Sequence, residues 1–430
     1  MDLVIKGKVF QKNRFKKCSI GIKEGKIEKI DTNLDGDKKI DFGDKLILPS
    51  GIDLHVHFRE PGQKYKEDLK TGSKAALNGG ITCFFDMPNT IPQTVNYDLL
   101  ENKIKLAEKK SCIDFGFYGG ITDDNLDNLK EMAPKCSGYK IYLGSSTNSL
   151  LFSMENFSEM YKKIKGYNKP VFFHAEDNRC LIKNSKKSIK NLYEHMDSRP
   201  KICELKPVKD IVKKTRGLKN HFHICHVSSD ESIDFVKKNK PENISYGVTP
   251  HHSLFSIEDE LTPEGLYKVN PPIRKSSNKK VLFHFLKTGE KVVLESDHAP
   301  HSLDEKKIDF NDVPSGIPGV ETMYPIFLSL AKNGVISFSR VVSLLCKKPA
   351  EIMDLNKGEI KKGKDADLIV VDLESEKNIE ASDLHYKCGW TPFEGFKAVF
   401  PETVFLRGKK ILEKGKYIGF SKGRHVLDFS

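Results

Sequence analysis

The chain has 430 residues, of which 71 are lysine or arginine and 59 are aspartate or glutamate, so its formal net charge is +12. This length supports a large core without disulfide or metal staples, and an α/β barrel could occupy most of it. No apolar run reaches the roughly 18 residues that a membrane span requires. The first residues contain no signal-peptide core, so we expect a cytoplasmic protein without membrane attachment.

The positive charge is spread along the whole chain. Lysine pairs occur from Lys16-Lys17 near the start to Lys409-Lys410 near the end, mostly beside acidic or polar residues. An arginine-rich arm or an aromatic-interleaved basic motif does not accompany them. A solvated lysine-rich surface explains this pattern better than nucleic-acid binding, so we expect no nucleic-acid partner.

The cysteines occur singly, without a Cys-x-x-Cys pair. The nine positions are Cys18, Cys83, Cys112, Cys136, Cys180, Cys203, Cys225, Cys346 and Cys388. An odd and scattered set argues against a disulfide framework and against a cysteine-type zinc site. We therefore expect buried free thiols in a reducing compartment.

The first 45 residues predict short strands joined by tight turns. Apolar and polar residues alternate in Leu3–Ile5, Gly21-Ile22 and Lys26–Ile30, and Gly25 and Gly36 mark the reversals. This pattern indicates a small β-structure at the beginning of the chain.

Residues 46–354 have a different pattern, in which short apolar strands alternate with predicted helices such as Leu99–Lys109 and Ser153–Lys165. The predicted strands are Leu46–Val56, Ile81–Asp86, Ile113–Tyr118, Gly138–Leu143, Val171–His174, His221–His226, Asn243–Val248 and Val292–Asp297. Eight strands alternating with helices over roughly 300 residues fit an α/β fold of the (β/α)8 TIM-like barrel type.

The β pattern returns near residue 355. Ala366–Asp372 is a predicted strand, and Thr403–Leu406 and Lys410–Leu412 flank a glycine-containing turn that is typical of a hairpin. We therefore predict a small β-sandwich domain assembled from residues 1–45 and 355–430, beside a barrel of residues 46–354.

Histidines and an aspartate stand where barrel strands end, which is where catalytic groups of such barrels lie. Side chains alternate along a strand, so His55 and His57 point the same way and could bind one metal ion. His174 and His226 each close an apolar run. Asp297 follows another, and a cation would offset the cost of burying its carboxylate there. A lone His-x-His pair also occurs in ordinary cores, but the further ligand types favour a metal site.

Lys140, at the end of the fourth predicted strand, is the unusual member of this set. An ammonium among histidines and an aspartate would compete with a metal ion. A neutral lysine can instead take up carbon dioxide and become a carbamate, an anionic ligand able to bridge two ions. The alternative is a structural ion pair.

Six segments, taken in order, resemble the dihydroorotase family of the amidohydrolase superfamily, and the resemblance covers nearly the whole chain. They are His55–Gly62, Asp86–Thr90, Gly138–Tyr142, His174–Asp177, Asn270–Arg274 and Ser296–His301. One such match could arise by chance, but six in order could not.

This resemblance implies a binuclear zinc site. The implied ligands are His55, His57 and Asp297 for the first Zn²⁺, His174 and His226 for the second, and carboxylated Lys140, with a hydroxide, as the bridge. Some members of the family have an aspartate as the bridging ligand, but this chain has the lysine-type signature.

The resemblance also implies a reaction, the reversible cyclisation of N-carbamoyl-L-aspartate to L-dihydroorotate in de novo pyrimidine biosynthesis. In the hydrolytic direction, Asp297 would serve as general base and then as general acid to the leaving nitrogen. The partner is thus a small molecule. The sequence leaves open a homodimer and an association with aspartate transcarbamoylase.

Substrate contacts follow from the same segments. Arg59 offers a charged fork suited to the carboxylate of dihydroorotate. The resemblance places Asn89 and His301 beside Arg59, gives Asn270 the ring amide, and lets the backbone of Ser315-Gly316 close the pocket. Alternatively, Arg59 forms an ordinary ion pair, and the two asparagines, each next to a proline in sequence, are turn residues.

Several alternatives remain at the level of sequence. Allantoinase, hydantoinase and dihydropyrimidinase share the metal ligands but resemble this chain less at Arg59 and Asn89, and a metal-free homologue would usually lose ligands. His251-His252 are expected to support the site from outside, and a mobile lid is expected at Gly144–Asn148 because its residues are small and polar.

Overall fold

The computed structural model describes residues 1–144, 150–419 and 422–429. The chain begins with strands β1 (Leu3–Gln11), β2 (Arg14–Lys23), β3 (Lys26–Asp31) and β4 (Lys39–Pro49). Eight strands follow: β5 (Gly51–Val56), β6 (Ile81–Asp86), β7 (Asp114–Ile121), β8 (Gly138–Tyr142), β9 (Val171–His174), β10 (Phe222–Ile224), β11 (Ile244–Val248) and β12 (Val292–Leu294). The last strands are β13 (Leu368–Val371), β14 (Lys377-Asn378), β15 (Lys397-Ala398), β16 (Thr403–Leu406), β17 (Lys409–Glu413) and β18 (Lys416-Tyr417).

Helices lie mainly between the middle strands. In chain order they are α1 (Leu69–Asn78), α2 (Tyr97–Lys110), α3 (Leu129–Met132), α4 (Phe157–Ile164), α5 (Asn178–Asn184), α6 (Leu192–Ser198), α7 (Lys201–Thr215), α8 (Asp230–Asn239), α9 (Pro250–Leu254), α10 (Ser276–Thr288), α11 (Leu303–Lys306), α12 (Met323–Lys332), α13 (Phe338–Val342) and α14 (Lys348–Ile352). The predicted helices at Leu99–Lys109 and Ser153–Lys165 correspond to α2 and α4. Among the helices so described, none is both long and apolar enough to cross a membrane.

Strands β5 to β12 form one sheet in chain order, and each neighbouring pair is parallel. The segment after β12 closes the circle, because the amide of His57 donates to the carbonyl of His298 at 2.8 Å. A β-bridge joins Val56 to the same residue. The predicted (β/α)8 barrel is confirmed, and its strands bring their carboxyl ends to one rim.

The two ends of the chain meet in a second sheet of eight strands, in the order β18-β17-β16-β13-β4-β1-β2-β3. Within it β4 pairs with β1 and β13, which joins the N-terminal strands to the C-terminal ones. Its far edge curls back, because Ile27 of β3 donates to the carbonyl of Lys364 at 2.8 Å. The sheet thereby encloses an apolar core of its own, which includes Ile5, Ile20 and Phe405. The predicted β-structure built from both ends is confirmed.

The predicted strand Leu46–Val56 is wrong in one respect, because it is two strands. Residues up to Pro49 pair with β13 in the terminal sheet, whereas residues from Gly51 onward pair with β6 in the barrel. Both halves are apolar because both are buried. A continuous apolar run therefore cannot show where the chain passes from one sheet to the other.

The expectation of free thiols is also corrected. Cys180 of α5 and Cys203 of α7 form a disulfide, with their Cα atoms 5.3 Å apart. The other cysteines are buried and free. The two bonded residues are separated by 23 positions, and the packing of two helices brings them together, so no spacing motif reveals the pair.

Candidate active site and metal centre

The end of β5 presents two histidines to the rim. The Nδ1 of His57 donates to Oδ1 of Asn89 at 2.6 Å, and the Nδ1 of His55 lies 3.6 Å from Oε1 of Glu295. The other nitrogen of each ring, Nε2, lies 3.3 Å (His55) and 3.2 Å (His57) from the same Oδ1 of Asp297. Each imidazole therefore has one nitrogen against an oxygen and directs the other to a shared point.

These spacings fit one metal ion. Ligand atoms at 2.0–2.1 Å from a tetrahedral zinc ion lie about 3.3 Å from one another, which matches the contacts to Asp297. Burial lowers the pKa of His55 to about 4, so its ring is neutral and can act as a ligand. Burial alone would raise the pKa of Asp297, but the neighbouring His55 and His57 hold it well below its ordinary range.

A second pair of histidines faces the same cleft. His174 closes β9 and His226 lies two residues beyond β10. The Nε2 of His174 donates to Glu176 at 2.8 Å, and Arg199 binds that carboxylate at 2.6 Å. This leaves Nδ1 of His174 without its proton, and it lies 3.1 Å from Nε2 of His226. Burial and the neighbouring His174 lower the pKa of His226 well below its ordinary value, so this pair also suits a cation.

Lys140 lies beneath the rim, with its side chain fully buried. Its Nζ donates to the Sγ of Cys225 at 3.0 Å and lies 5.1 Å from the ring centroid of Tyr142. After the effect of burial, the charge of Lys140 helps to lower the pKa of His55 and of His174, one from each histidine pair. The lysine is therefore close to both halves of the candidate metal centre.

Three of the site residues have left-handed backbone conformations. The φ angles are +60° at Arg59, +36° at His226 and +47° at Asp297. Non-glycine residues rarely adopt such angles, and they persist where the surrounding structure holds them. The chain thus turns sharply just beyond β5, β10 and β12, which directs these side chains into the cleft.

The side of the cleft proposed for the substrate carboxylate is built around Arg59, whose side chain is 8% exposed. Its Nε donates to the carbonyl of Pro300 at 3.1 Å, and its Nη2 lies 3.1 Å from Nε2 of His301. The Nδ1 of His301 lies 3.1 Å from Nζ of Lys66. Burial and the charge of Arg59 lower the pKa of His301 to about 3, so this ring is neutral.

The cleft lining also includes Asn270 and the Ser315-Gly316 loop, and the carbonyl oxygen of Ser315 lies 3.2 Å from Nε2 of His301. Oδ1 of Asn270 is buried and accepts no hydrogen bond from the part of the chain that the structure describes. The carbonyl of the next residue, Pro271, accepts a hydrogen bond from Nε2 of His252 at 2.9 Å. His252 therefore supports the Asn270 loop from outside the cleft, as expected from the sequence. Gly316 has φ +139°, and a Cβ there would lie 2.5 Å from a backbone oxygen, so only glycine fits.

One cleft collects nearly all of the predicted site residues. Its lining consists of His55, His57, Arg59, Asn89, Tyr142, His174, His226, Val269, Asn270, Asp297, Ala299, Ser315 and Gly316. Lys140 lies below this lining, and His301 lies behind Arg59. The lid expected at Gly144–Asn148 falls, apart from Gly144, outside the described residues.

Sequence reasoning missed the residues that hold the histidines. Glu295 contacts His55 and also lies 3.2 Å from Nε2 of His223, and Glu176 with Arg199 orients His174. Both glutamates stand two positions from a predicted ligand, on the same face of the strand path. The two-residue spacing from a predicted ligand is the sequence signal that could have identified these glutamates.

Comparison with known proteins decides the family. The sequence profile of the amidohydrolase family matches residues 46–411. The chain belongs to the amidohydrolase family. This amidohydrolase is 37% identical to a dihydroorotase of Methanosarcina acetivorans, over 95% of this chain and 92% of that protein. It is 35% identical to a dihydroorotase of Pyrococcus horikoshii, over 99% and 96%.

Solved structures agree with this assignment. The L-hydantoinase (dihydropyrimidinase) of Arthrobacter aurescens superimposes with a TM-score of 0.93 at 25% identity, covering 99% of both chains. A D-hydantoinase superimposes with a TM-score of 0.88 at 26% identity. The resemblance found in the sequence and the predicted fold are thus confirmed, and the amidohydrolase has a candidate metal cluster that includes His55, His57 and Asp297.

Proposed function

We propose that this amidohydrolase is a dihydroorotase that interconverts N-carbamoyl-L-aspartate and L-dihydroorotate. The observation that carries the proposal is the buried guanidinium of Arg59 in the wall of the metal-ligand cleft. Its Nε donates to a backbone carbonyl and its Nη2 lies against neutral His301, and neither group contacts a carboxylate among the described residues. A buried cation of this kind is costly alone and matches the carboxylate of dihydroorotate.

The alternatives are allantoinase and the hydantoinase or dihydropyrimidinase type, which the structural neighbours represent. The simple hydantoin and dihydropyrimidine rings have no carboxylate to meet Arg59. The relatives named dihydroorotase are also more similar in sequence, at 34–37% identity against 23–26% for the hydantoinase structures. Both observations favour dihydroorotate.

The metal centre is proposed to hold two zinc ions. His55, His57 and Asp297 would bind one ion, His174 and His226 the other, and a carbamate on Lys140 would bridge them. When bound, the ions would polarise the ring carbonyl and lower the pKa of water. Sγ of Cys225, which accepts a hydrogen bond from Nζ of Lys140 at 3.0 Å, would have to release that contact when the carbamate forms.

Asp297 is the proposed proton carrier. During hydrolysis it accepts the proton of the attacking water and delivers it to the leaving ring nitrogen, and during ring closure the proton travels the other way. Its low pKa keeps it ionised at neutral pH and therefore ready to accept. Its backbone is left-handed, and its Oδ1 lies 3.3 Å from Nε2 of His55 and 3.2 Å from Nε2 of His57.

The remaining residues bind the substrate. Arg59 and His301 bind the carboxylate. Asn89 contributes its amide N–H, because its Oδ1 already accepts from His57. Asn270 accepts from the ring N–H with the Oδ1 that otherwise has no partner among the described residues. The backbone of Ser315-Gly316 closes the cleft over the ring.

The pathway and the setting follow from this activity. The reaction belongs to de novo pyrimidine biosynthesis, and we place the enzyme in the cytoplasm, with a small molecule as its partner. Assembly as a homodimer and association with aspartate transcarbamoylase are both compatible with this role.

Metal-dependent interconversion tests the proposal. Purified protein, with its bound zinc counted, is expected to convert N-carbamoyl-L-aspartate to dihydroorotate and back, to lose this activity with a chelator and to regain it with zinc. Zinc-loaded protein that leaves both compounds unchanged would contradict the proposal.

A further inference from the structure

One buried lysine near the cleft has no part in the reaction described above. Lys306 ends α11, the short helix that follows His301, and its side chain is buried. Its Nζ donates to the carbonyl oxygens of Pro314 at 2.9 Å, Gly316 at 3.0 Å and Lys268 at 3.3 Å. An ammonium has three N–H donors and no acceptor, so these carbonyls use its full hydrogen-bonding capacity.

The three carbonyls belong to the two loops that form one wall of the cleft. Lys268 lies two residues before Asn270, and Pro314 and Gly316 flank Ser315. The loops also bond to each other directly, because the amide of Gly316 donates to the carbonyl of Lys268 at 2.9 Å. Lys306 therefore joins the proposed ring-amide contact to the loop that closes the pocket.

The position of this wall is tightly restricted. A Cβ on Gly316 would lie 2.5 Å from the carbonyl oxygen of Ala299, so the loop already touches the rim and cannot move inward. Without the ammonium, three carbonyls would face one another with no shared donor, and the loops would separate outward. The neighbouring residue, Glu305, pairs with Lys66 at 2.8 Å and so braces His301 on the carboxylate side.

We propose that Lys306 is a positioning residue for substrate recognition, whose ammonium clamps the Asn270 loop to the Ser315-Gly316 loop and sets the width of the cleft for the ring. The identity of the ring rests on the proposed function, whereas the clamp itself is a property of the two loops. The bonds of Lys306 go to loop carbonyls and not to the proposed metal ligands. Its loss therefore weakens substrate binding more than the chemical step.

Steady-state kinetics on Lys306→Met test this role, because methionine keeps the length of the side chain and removes the charge. Loss of a charge-assisted hydrogen-bond donor to buried carbonyls corresponds to a rise in KM for dihydroorotate of about 10- to 100-fold. We expect kcat to change much less and bound metal to stay constant. Lys307→Met, which changes the exposed neighbouring lysine, is the matched control.

Hydrogen–deuterium exchange provides a readout that does not depend on the substrate. Peptides that contain Lys268 and Gly316 are expected to exchange faster in Lys306→Met than in Lys307→Met or the unmodified protein. If the unmodified protein fails to turn over dihydroorotate, the proposed function fails while exchange still tests the clamp. Unchanged exchange at both loops would overturn the clamp.

A milder variant covers the case in which Lys306→Met does not fold. Lys306→Gln keeps two N–H donors on a shorter side chain, so we expect a KM between those of the unmodified protein and the methionine variant. A KM equal to that of the control, or a joint loss of kcat and bound metal at constant KM, would contradict a positioning role.

Discussion

Two histidines of the proposed metal centre, His57 and His174, are oriented by a hydrogen bond from the ring nitrogen that faces away from the cleft. His57 donates to Asn89 and His174 donates to Glu176, so each keeps an unprotonated nitrogen toward the cleft. Burial keeps His55 neutral by lowering its pKa to about 4. At the scale of single residues, the site therefore combines histidines that direct a ring nitrogen into the cleft with one ionised aspartate.

Arg59→Met should separate substrate binding from metal binding. Removing a buried charge that meets the substrate carboxylate costs about 2–4 kcal/mol, a fall in kcat/KM for dihydroorotate of roughly 30- to 1,000-fold. Zinc content should stay constant, because the arginine contacts Pro300 and His301 and not the metal ligands. Arg179→Met, at an exposed arginine, is the control. Loss of zinc with the activity would show that Arg59 supports the metal centre instead.

Lys140→Ala should lose at least one metal ion. The variant lacks the group proposed to become the bridging carbamate, so we expect metal analysis to find about one ion or fewer per chain. Small carboxylic acids, which can supply a bridging oxygen pair, are expected to restore part of the activity. Lys130→Ala, at an exposed lysine of α3, should keep metal and activity. Full metal and activity in Lys140→Ala would exclude the bridging role.

At the scale of elements, the space beside strand β11 determines the position of the Glu295 carboxylate. The carboxylate of Glu295 contacts His55, His223 and the amide of His226. It fits beside β11 because residue 247 is glycine, whose position on the strand leaves the room that a side chain would fill. A strand that carries no predicted ligand thus determines where the ligands of two other strands lie.

Gly247→Ala should consequently weaken metal binding from a distance. A Cβ at this position would lie 2.1 Å from Oε1 of Glu295, so the carboxylate must move away from its histidine partners. Displacing such a supporting carboxylate lowers metal affinity by about 10- to 100-fold, measurable by competition with a chromophoric chelator. Gly166→Ala, where a Cβ meets open space, should bind metal normally. Equal affinities in the two variants would mean that Glu295 does not hold the ligands.

His195 of helix α6, which contacts the cleft residue Val269, is expected to make the stability of the protein depend on pH in the acid range. Its Nε2 donates to the carbonyl of Val269 at 3.0 Å, while Nδ1 is buried without a partner among the described residues. Burial lowers the pKa of His195 from 6.5 to about 4. A histidine with a depressed folded-state pKa gives its full stability above pH 6.5 and loses it as the pH falls towards 4, because the unfolded chain takes up the proton first.

His195→Gln keeps an N–H donor for Val269 and removes the titrating group. Between pH 7 and pH 4, the unmodified protein should lose on the order of 3 kcal/mol more unfolding free energy than this variant. Urea denaturation at several pH values measures the difference. His284→Gln, at an exposed histidine of α10, should follow the unmodified protein. Parallel stability curves for His195→Gln and the unmodified protein would rule out this titration.

At the scale of the whole molecule, a buried cluster of charges ties the barrel to the terminal sheet. Nζ of Lys357 lies 2.8 Å from Asp114 of β7 and 2.5 Å from Asp367, next to β13. Burial would lower the pKa of Lys357, but Asp367 and Asp114 raise it well above its ordinary value. Arg407 of the hairpin between β16 and β17 also binds Asp114. The C-terminal part of the terminal sheet is therefore fastened to the barrel at β7.

Much of this architecture could be predicted because it repeats a simple pattern. Strands such as β6 and β9 are short apolar runs with identical predicted and observed bounds, and His174 and Asp297 stand at the rim as strand ends dictate. The split between β4 and β5 could not be predicted, because both halves are apolar. The Cys180–Cys203 disulfide and Lys306 act through contacts between distant parts of the chain, which a single sequence does not encode as a local pattern. Glu295 stands two positions from Asp297, but that spacing does not reveal its contacts with His55 and His223.

The ratio of kcat/KM for dihydroorotate to that for dihydrouracil, measured on the zinc-loaded protein, tests the central claim most directly. The two rings differ in the carboxylate that Arg59 and His301 are proposed to bind. A site built around a buried polar partner rejects a substrate that lacks it, so we expect a ratio of about 1,000 or more. A ratio near one, or preference for dihydrouracil, would contradict the assignment and identify a dihydropyrimidinase instead.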